Sequence, residues 1–479
     1  MTPASILWTA EAAAEATCGC AHGDWRASGV SIDTRTLHPG DLFVALKGPS
    51  FDGHEFVAEA LANGAAAIMV SRMPRAFDAG APMLVVADTL RGLEDLGRAA
   101  RARTRARIVG VTGSVGKTGV KEALRLVLGA QAPTTANDGS LNNHWGLPLS
   151  LARMPESVSF GVFEMGMNHP GEIEPLSRMA RPHVAAITAV EAVHKAHFAS
   201  LEAIADAKAE IFSGVAEGGI AVLNRDNPQF ARLARAAGDR GIGTIIGFGR
   251  HADARVRLLG VDAGAMGSIV RASVDGEALE YRLNVAGDHW VINSLCVLAV
   301  AGAVGADARS AAGALGEVSA PKGRGRRSIV AIGGGSFELI DDSYNASPVS
   351  MAAAFEVLGR ARTGPGGRRI AVIGDMLELG DDAPALHAGL LGPLEKHGID
   401  LVYAAGPAMA HLFDALPTAM RGAHAADSAT LAPLVTAAVR AGDVVSVKGS
   451  AGSRMGVVVE ALRGLDAVRA DAARAVNGE

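Results

Sequence analysis

Apolar positions along the chain fall into short β-branched runs separated by stretches of helical spacing, and their alternation predicts the elements. Residues 107–112 form an apolar, β-branched run that leads at once into a glycine loop. Strand-like runs then follow at 159–164, 184–188 and 220–223, with a helical pattern over 201–212. Strand, helix, strand in this rhythm implies a parallel sheet covered by helices. Ahead of it, 41–46 and 66–70 read as short strands. Beyond Pro321, strands are expected at 337–340, 370–373, 401–404 and 444–447, each followed by a loop and a helical pattern, with a turn-rich loop at 364–367. That succession predicts a smaller doubly wound unit. The longest apolar stretch, 291–306, contains Asn293 and Ser294 and is shorter than the roughly 20 residues a bilayer span requires, so it predicts a buried helix.

These patterns divide the chain into three expected domains: 1–105, small and α/β; 106–320, with a central parallel sheet; and 321–479, doubly wound and Rossmann-like. The fold class expected is α/β. A length of 479 residues suits about three domains. With 49% hydrophobic and 4% aromatic residues, the core must be built from Ala, Val, Leu and Ile. The net charge of -5 and pI near 6.3 argue against a general nucleic-acid binder, whose domain is usually basic. The local run Arg98, Arg101, Arg103, Arg105 and Arg107 is expected to be a solvated helix end and linker. Three cysteines, Cys18, Cys20 and Cys296, are too few for a disulfide framework, and reduced thiols fit the cytoplasm. Residues 1–9 lack the basic stretch and apolar run of a signal peptide, and no membrane insertion is expected.

The chemistry begins at Gly110-Val-Thr-Gly113-Ser114-Val-Gly116-Lys117-Thr118, after a strand and before a helical pattern. Glycines let backbone N–H groups close around phosphate, and the helix N-terminus adds positive potential. Lys117 is placed to neutralise the outer phosphates and Thr118 to hold Mg²⁺ through its hydroxyl. The spacing departs from the common GxxxxGK[ST], since Val111 stands five before Gly116 and the glycines fall at 110 and 113.

This loop variant resembles that of the Mur ligase family and its relative folylpolyglutamate synthetase. Ser31-Ile-Asp33-Thr-Arg35, Gly40 to Gly48 and Phe51-Asp-Gly-His54 resemble the family's N-terminal domain. Asp341-Asp-Ser-Tyr-Asn345-Ala, Gly374-Asp-Met-Leu-Glu-Leu-Gly380 and Lys448-Gly-Ser450 resemble the member that adds a dipeptide. The resemblance runs from about Ser31 to Arg454. It implies a cytoplasmic, monomeric, ATP-dependent ligase that activates a carboxylate as an acyl phosphate and couples it to an amine. The implied substrates are small molecules, UDP-N-acetylmuramoyl-tripeptide and D-alanyl-D-alanine, for peptidoglycan synthesis. The first domain would bind the uridine nucleotide through Ser31, Asp33 and Arg35, the second ATP, and the third would close over the site with the dipeptide.

Carried over residue by residue, the resemblance makes Glu164, His194 and Lys208 Mg²⁺ ligands beside Thr118, with Lys208 carbamylated. An ammonium beside Mg²⁺ would be repelled, whereas a carbamate is an anionic oxygen donor. His194 is preferred to His197 because it leads the pattern that includes Phe198 and Ser200. Gly113, Ser114, Gly116 and Lys117 would cradle phosphate, with Asn143 of Asn142-Asn143 near the phosphates and the activated carboxyl. Ser140 stands where an asparagine is usual. Asn293 would pack on adenine. Arg324 would reach the γ-phosphate, with Arg326 a competitor in the doubled Gly-Arg. Asp342 is expected on the nucleotide side of its loop and Asn345 on the substrate side, with Ser347 where a second asparagine is usual. Asp375, Glu378, Lys448, Ser450 and Arg454 would face the dipeptide, a cation at 448 or 454 pairing with its carboxylate and a carboxylate such as Glu378 orienting its ammonium. The rivals are a family member that adds a single amino acid and a phosphate-loop switch that hydrolyses nucleotide without small-molecule substrates.

Overall fold

The computed structural model describes residues 6–73, 81–191, 198 and 200–477, with side chains up to residue 466. It contains three sheets of five, nine and six strands, each with its own core, and a two-stranded ribbon.

The five-stranded N-terminal sheet has the order Cys20–His22, Met83–Val85, Ala67–Val70, Asp41–Val44, Gly29–Ser31. The Cys20–His22 strand runs antiparallel to its neighbour and the other pairs are parallel. Asp41–Val44 and Ala67–Val70 are buried along their whole length, as parallel strands covered on both faces must be. The helix Thr89–Arg103 leads out of this domain. Asp88 caps it by accepting from the Arg91 N–H. Its Gly97 lies so near the helix Gly146–Ala152 that a Cβ there would meet Pro148 backbone at 3.1 Å.

The arginine run at this junction is not uniformly solvated. Arg98 behaves as expected, pairing with Glu94 and Asp95 on the surface. Arg101 is buried and donates to Ala180 O at 2.7 Å and Arg181 O at 2.8 Å, the carbonyls that end the helix Ile173–Ala180. Arg103 donates to Leu7 O at 2.8 Å and lies 4.3 Å above the Trp8 ring. Arg101 spends its charge on helix-end carbonyls and staples the first domain to the second, whereas Arg103 uses a carbonyl and an aromatic face within the first domain. Arg101→Ala should cost about 2 kcal/mol through the two charge-assisted bonds, an apparent Tm lower by roughly 4–8 °C. Calorimetry checks this, and an unchanged Tm would contradict the staple.

In the nine-stranded central sheet the order is Glu277–Leu283, Ser268–Val274, Val256–Ala263, Thr244–Gly249, Ile220–Asn224, Val184–Ile187, Arg107–Thr112, Phe160–Glu164, Thr134–Ala136. Strands from Thr134–Ala136 to Thr244–Gly249 are parallel. The strand feeding the phosphate loop thus sits between the one ending in Glu164 and the one leading to Thr188. The predicted buried helix spans Asp288–Ala303 and packs with Lys117–Gly129 on one face. The predicted helix at 201–212 is α-helical over Leu201–Ala209 and tightens to 3₁₀ over Glu210–Gly214.

Three strands, each antiparallel to the next and joined through a parallel pairing of Val256–Ala263 with Thr244–Gly249, extend this sheet beyond what the parallel rhythm foretold. The tightest turn is Asp275-Gly276, both at positive φ (51° and 90°), as a two-residue hairpin of this hand requires. The strands on either side alternate buried and open positions.

The C-terminal sheet has the order Arg326–Ile332, Gly335–Asp342, Val444–Lys448, Arg369–Gly374, Leu401–Ala405, Arg421–Ala425. All neighbours are parallel except the first pair, a hairpin. The first and last strands were not anticipated. Loops after Asp342, Gly374 and Lys448 leave neighbouring strands at their carboxyl ends, where open α/β sheets gather ligands. Among the described residues, no helix is long and apolar enough to cross a membrane.

Candidate active site

A cleft of about 940 Å³ opens between the phosphate-loop end of the central sheet and the carboxyl ends of the C-terminal strands. It is lined from one side by Ser114 to Gly119, Asn142, Glu164 and Asn293, and from the other by Arg324, Asp342, Tyr344, Asn345 and Lys448.

Two glycines shape the loop. Gly113 has φ 150°, and a Cβ there would fall 2.0 Å from Thr188 Oγ1. Gly116 has φ 85° and faces Asn293, whose amide a Cβ would meet at 2.9 Å. Ser114 is tied down by its N–H to Ala189 O and its hydroxyl to Glu191 O. Lys117 opens the helix Lys117–Gly129 and curls over the loop, donating to Gly113 O at 2.6 Å. Crowding by protein atoms pushes its ammonium below the usual lysine range. Glu164 opposes that shift and Arg324 adds to it.

Glu164 is the buried acceptor at the centre. Its Oε2 accepts from Thr118 Oγ1 at 2.8 Å and its Oε1 from Asn142 Nδ2 at 2.7 Å. Asn142, rather than Asn143, therefore presents its side chain to the carboxylate and the cleft. Asn143 Oδ1 accepts from the N–H groups of Trp145 and Gly146 at the start of the helix Gly146–Ala152, which is a capping role. Asn137 clamps the same region, exchanging bonds with Glu164 backbone. Fully buried Lys121 donates to Asn137 O at 2.7 Å and Gly139 O at 2.9 Å and pairs with Glu122. Lys121 and Asn137 carried no motif signal. The available clue was a lysine one turn beyond Lys117 on the apolar face shared by Val120 and Leu124.

Lys208 is 2% exposed on the helix Leu201–Ala209. Burial, with the Lys117 charge second, pushes its amine well below the usual lysine range. Among the described residues no carboxylate lies in salt-bridge contact with it. His194 and His197 lie outside the described residues.

Arg324 comes from the loop before the C-terminal sheet. Its guanidinium stacks 4.3 Å above the Tyr344 ring, and the Tyr344 hydroxyl shares a hydrogen bond with Ser140 of the central domain. Arg326 is exposed on its strand and also lines the cleft. Of the two, Arg324 is the one whose charge reaches Lys117.

The remaining C-terminal residues divide. Lys448 is buried and spoken for: its Nζ donates to Asp342 Oδ2 at 2.7 Å and Asn345 O at 2.9 Å. It is an internal brace of the first loop rather than an open cation for a carboxylate. Asn345 is exposed in the cleft, while Ser347 caps the helix Pro348–Gly359. Asp375 is buried and accepts from Met409 N at 2.9 Å, so it braces the loop after Leu401–Ala405 instead of facing a ligand. Ser450 accepts from Leu377 N at 2.9 Å and joins two loops. Glu378 and Arg454 are both exposed and at positive φ, 61° and 53°. In the N-terminal domain, Ser31 is buried and bonds to Asp33 O. Arg35 is exposed and forks onto Asp33, its hydrogen bonds holding that carboxyl below the usual range. None of the three lines the cleft.

The chain matches the Mur ligase middle domain over residues 111–301, the Mur ligase glutamate ligase domain over 325–451, and the Mur ligase family catalytic domain over 26–103. It is 35% identical to the UDP-N-acetylmuramoyl-tripeptide--D-alanyl-D-alanine ligase of Escherichia coli (strain K12), across 91% of this chain and 93% of that one. The chain belongs to the Mur ligase family. This Mur ligase is also 33% identical to the ligase of the same name from Bacillus subtilis (strain 168), over 91% and 93% of the two chains. Among solved structures it superimposes on MurF from Acinetobacter baumannii with a TM-score of 0.82 at 30% identity, covering 96% of this chain and all of that one. MurF ligase from Thermotoga maritima in complex with ADP gives a TM-score of 0.73 at 27% identity, covering 92% and 98%. The three-domain α/β architecture is common to these proteins, and ATP is the nucleotide this Mur ligase uses.

Proposed function

We propose that this Mur ligase joins D-alanyl-D-alanine to UDP-N-acetylmuramoyl-tripeptide with ATP, releasing ADP and phosphate and giving the pentapeptide precursor of peptidoglycan. The observation that carries the reading is the meeting, across one cleft, of a phosphate loop with an arginine from the next domain, in a chain that aligns over nine-tenths of its length with ligases of that name.

The chemistry follows from what the residues offer. Loop N–H groups and Lys117 hold the outer phosphates, and Arg324 braces the γ-phosphate from the opposite wall, held flat by Tyr344. A carboxylate oxygen of the tripeptide attacks the γ-phosphorus as the bond to ADP breaks, giving an acyl phosphate. The dipeptide amine then attacks the carbonyl carbon, phosphate leaves and the nitrogen sheds a proton. Positioning and charge neutralisation supply most of the rate in such transfers.

The donors beside the loop fit Mg²⁺. Thr118 and Glu164 converge as hard oxygen ligands, and Mg²⁺ on nucleotide phosphates needs only one or two protein carboxylates. In this reading Thr118, Glu164, His194 and the carbamate of Lys208 hold it, and bound there it neutralises charge on the phosphates. Asn293, beside Gly116, packs on the adenine. Residues 1–105 take the UDP moiety through Ser31, Asp33 and Arg35, residues 106–320 take ATP, and residues 321–479 take the dipeptide. With Lys448 held by Asp342, Arg454 is the cation for the dipeptide's carboxylate and Glu378 orients its ammonium. The free thiols of Cys18, Cys20 and Cys296 suit the cytoplasm, and in this reading the enzyme works as a monomer.

The test is phosphate release from ATP and muramoyl tripeptide, with and without D-alanyl-D-alanine, and then with D-alanine. A site built for both ends of a dipeptide leaves charged groups unpaired around the single amino acid, so discrimination of about 10⁴-fold in kcat/KM is expected. Equal use of D-alanine would defeat the substrate assignment and leave a ligase of the wider family.

A further inference from the structure

Outside the phosphate site, the loop 375–378, which follows the strand Arg369–Gly374, is anchored at successive positions. Three consecutive backbone N–H groups there each find a partner on a different segment. Asp375 N donates to Ala405 O at 3.2 Å, Met376 N to His387 Nε2 at 3.0 Å, and Leu377 N to Ser450 Oγ at 2.9 Å. The next residue, Glu378, is held at φ 61°. L side chains rarely adopt that conformation, and it persists where the surroundings over-determine it.

Of the three anchors, only His387 belongs to neither a strand end nor a loop of the proposed dipeptide site. It is fully buried on the short helix Ala383–Ala388. Its Nδ1 lies 2.6 Å from Ala383 O, an acceptor only, so the proton resides on Nδ1. That leaves Nε2 as the lone-pair nitrogen, which is what Met376 N–H requires. A side chain with no acceptor at this place would strand a buried N–H and release the loop at its middle bond.

We propose that His387 is a positioning residue for the amine substrate: through Met376 N it fixes the backbone that sets Glu378. This rests on the reading of the 374–380 segment as the dipeptide side. His387 touches no reacting atom, so its effect should fall on one substrate alone.

The experiment is full steady-state kinetics for His387→Leu, His387→Asn and His387→Gln alongside the wild-type enzyme. Gln can place an acceptor near Nε2, whereas Asn can reach Ala383 O but not Met376. Leu and Asn should raise KM for D-alanyl-D-alanine about tenfold or more, as loss of an orienting partner does, with KM for ATP and for the tripeptide within about twofold. Gln should restore most of the loss. If Leu fails to fold, the contrast between Asn and Gln decides. A uniform change in all three KM values, an unmoved amine KM, or Gln behaving like Asn overturns the proposal. Should the wild-type enzyme use a different amine, the substrate reading fails, and His387 is judged on the KM of that amine.

Discussion

Lys117→Ala should lower ligation by about 10³-fold or more while leaving the fold intact, because a cation on the transferring phosphate contributes on that order. The side chain is part-exposed at the start of its helix, and the structural contacts it makes are to carbonyls of its own loop. Alanine is a better helix former than lysine at that place, so no loss of helix is expected. The strand and loop on either side are fixed independently, by the Ser114 bonds to Ala189 and Glu191 and by the pairing of Arg107–Thr112 with both neighbours. Circular dichroism and Tm should therefore match the wild-type enzyme. ATP-dependent phosphate release, measured with both other substrates saturating, should be nearly abolished. Near-normal turnover would remove Lys117 from the mechanism and with it the reading of this loop.

What was legible in the sequence was what local rules decide. A β-branched run, a glycine loop and a helical pattern allow one arrangement around 107–129, and the strand placements at 41–46, 220–223 and 444–447 follow from burial on both faces. The antiparallel strands from Val256 to Leu283 were less visible, because the parallel rhythm around them is stronger than their own alternation. Yet the Asp275-Gly276 turn was a readable hairpin signal. Charged residues were the least legible. Arg101 and Arg103 look solvated by composition, and only the packed helix ends and Trp8 reveal what they bind. Lys448 and Asp375 carry a motif resemblance that says they matter without saying to what. Their partners, Asp342 and the Met409 N–H, are 106 and 34 residues away in the chain. Side-chain choice within Asn142-Asn143 is of the same kind, since either amide satisfies the motif and the start of a helix takes one of them.

Lys208→Ala should be the second severe loss, about 10²- to 10³-fold in kcat, and unlike Lys117→Ala it should be partly rescued by short carboxylic acids. The difference lies in what the residue supplies. Lys208 is buried beside Lys117, and both burial and that neighbouring charge disfavour its ammonium. Its folded pKa is thus depressed, so the neutral amine is more abundant near neutral pH than for a solvated lysine. A neutral amine is the form that adds CO₂, giving a carbamate and a proton. The product replaces a disfavoured cation with an anion that Lys117 attracts, and its oxygens suit the same hard cation as Thr118 and Glu164. Deleting the side chain to alanine removes the amine and leaves room for a small carboxylate such as acetate in its place. Saturable recovery with acetate or formate is therefore expected in Lys208→Ala and not in Lys117→Ala. Depletion of dissolved CO₂ should lower wild-type activity, with bicarbonate restoring it and no effect on the alanine variant. A fully active Lys208→Ala enzyme would rule out the carbamate. Loss without rescue, together with indifference of the wild type to CO₂, would reduce Lys208 to a buried amine held for packing.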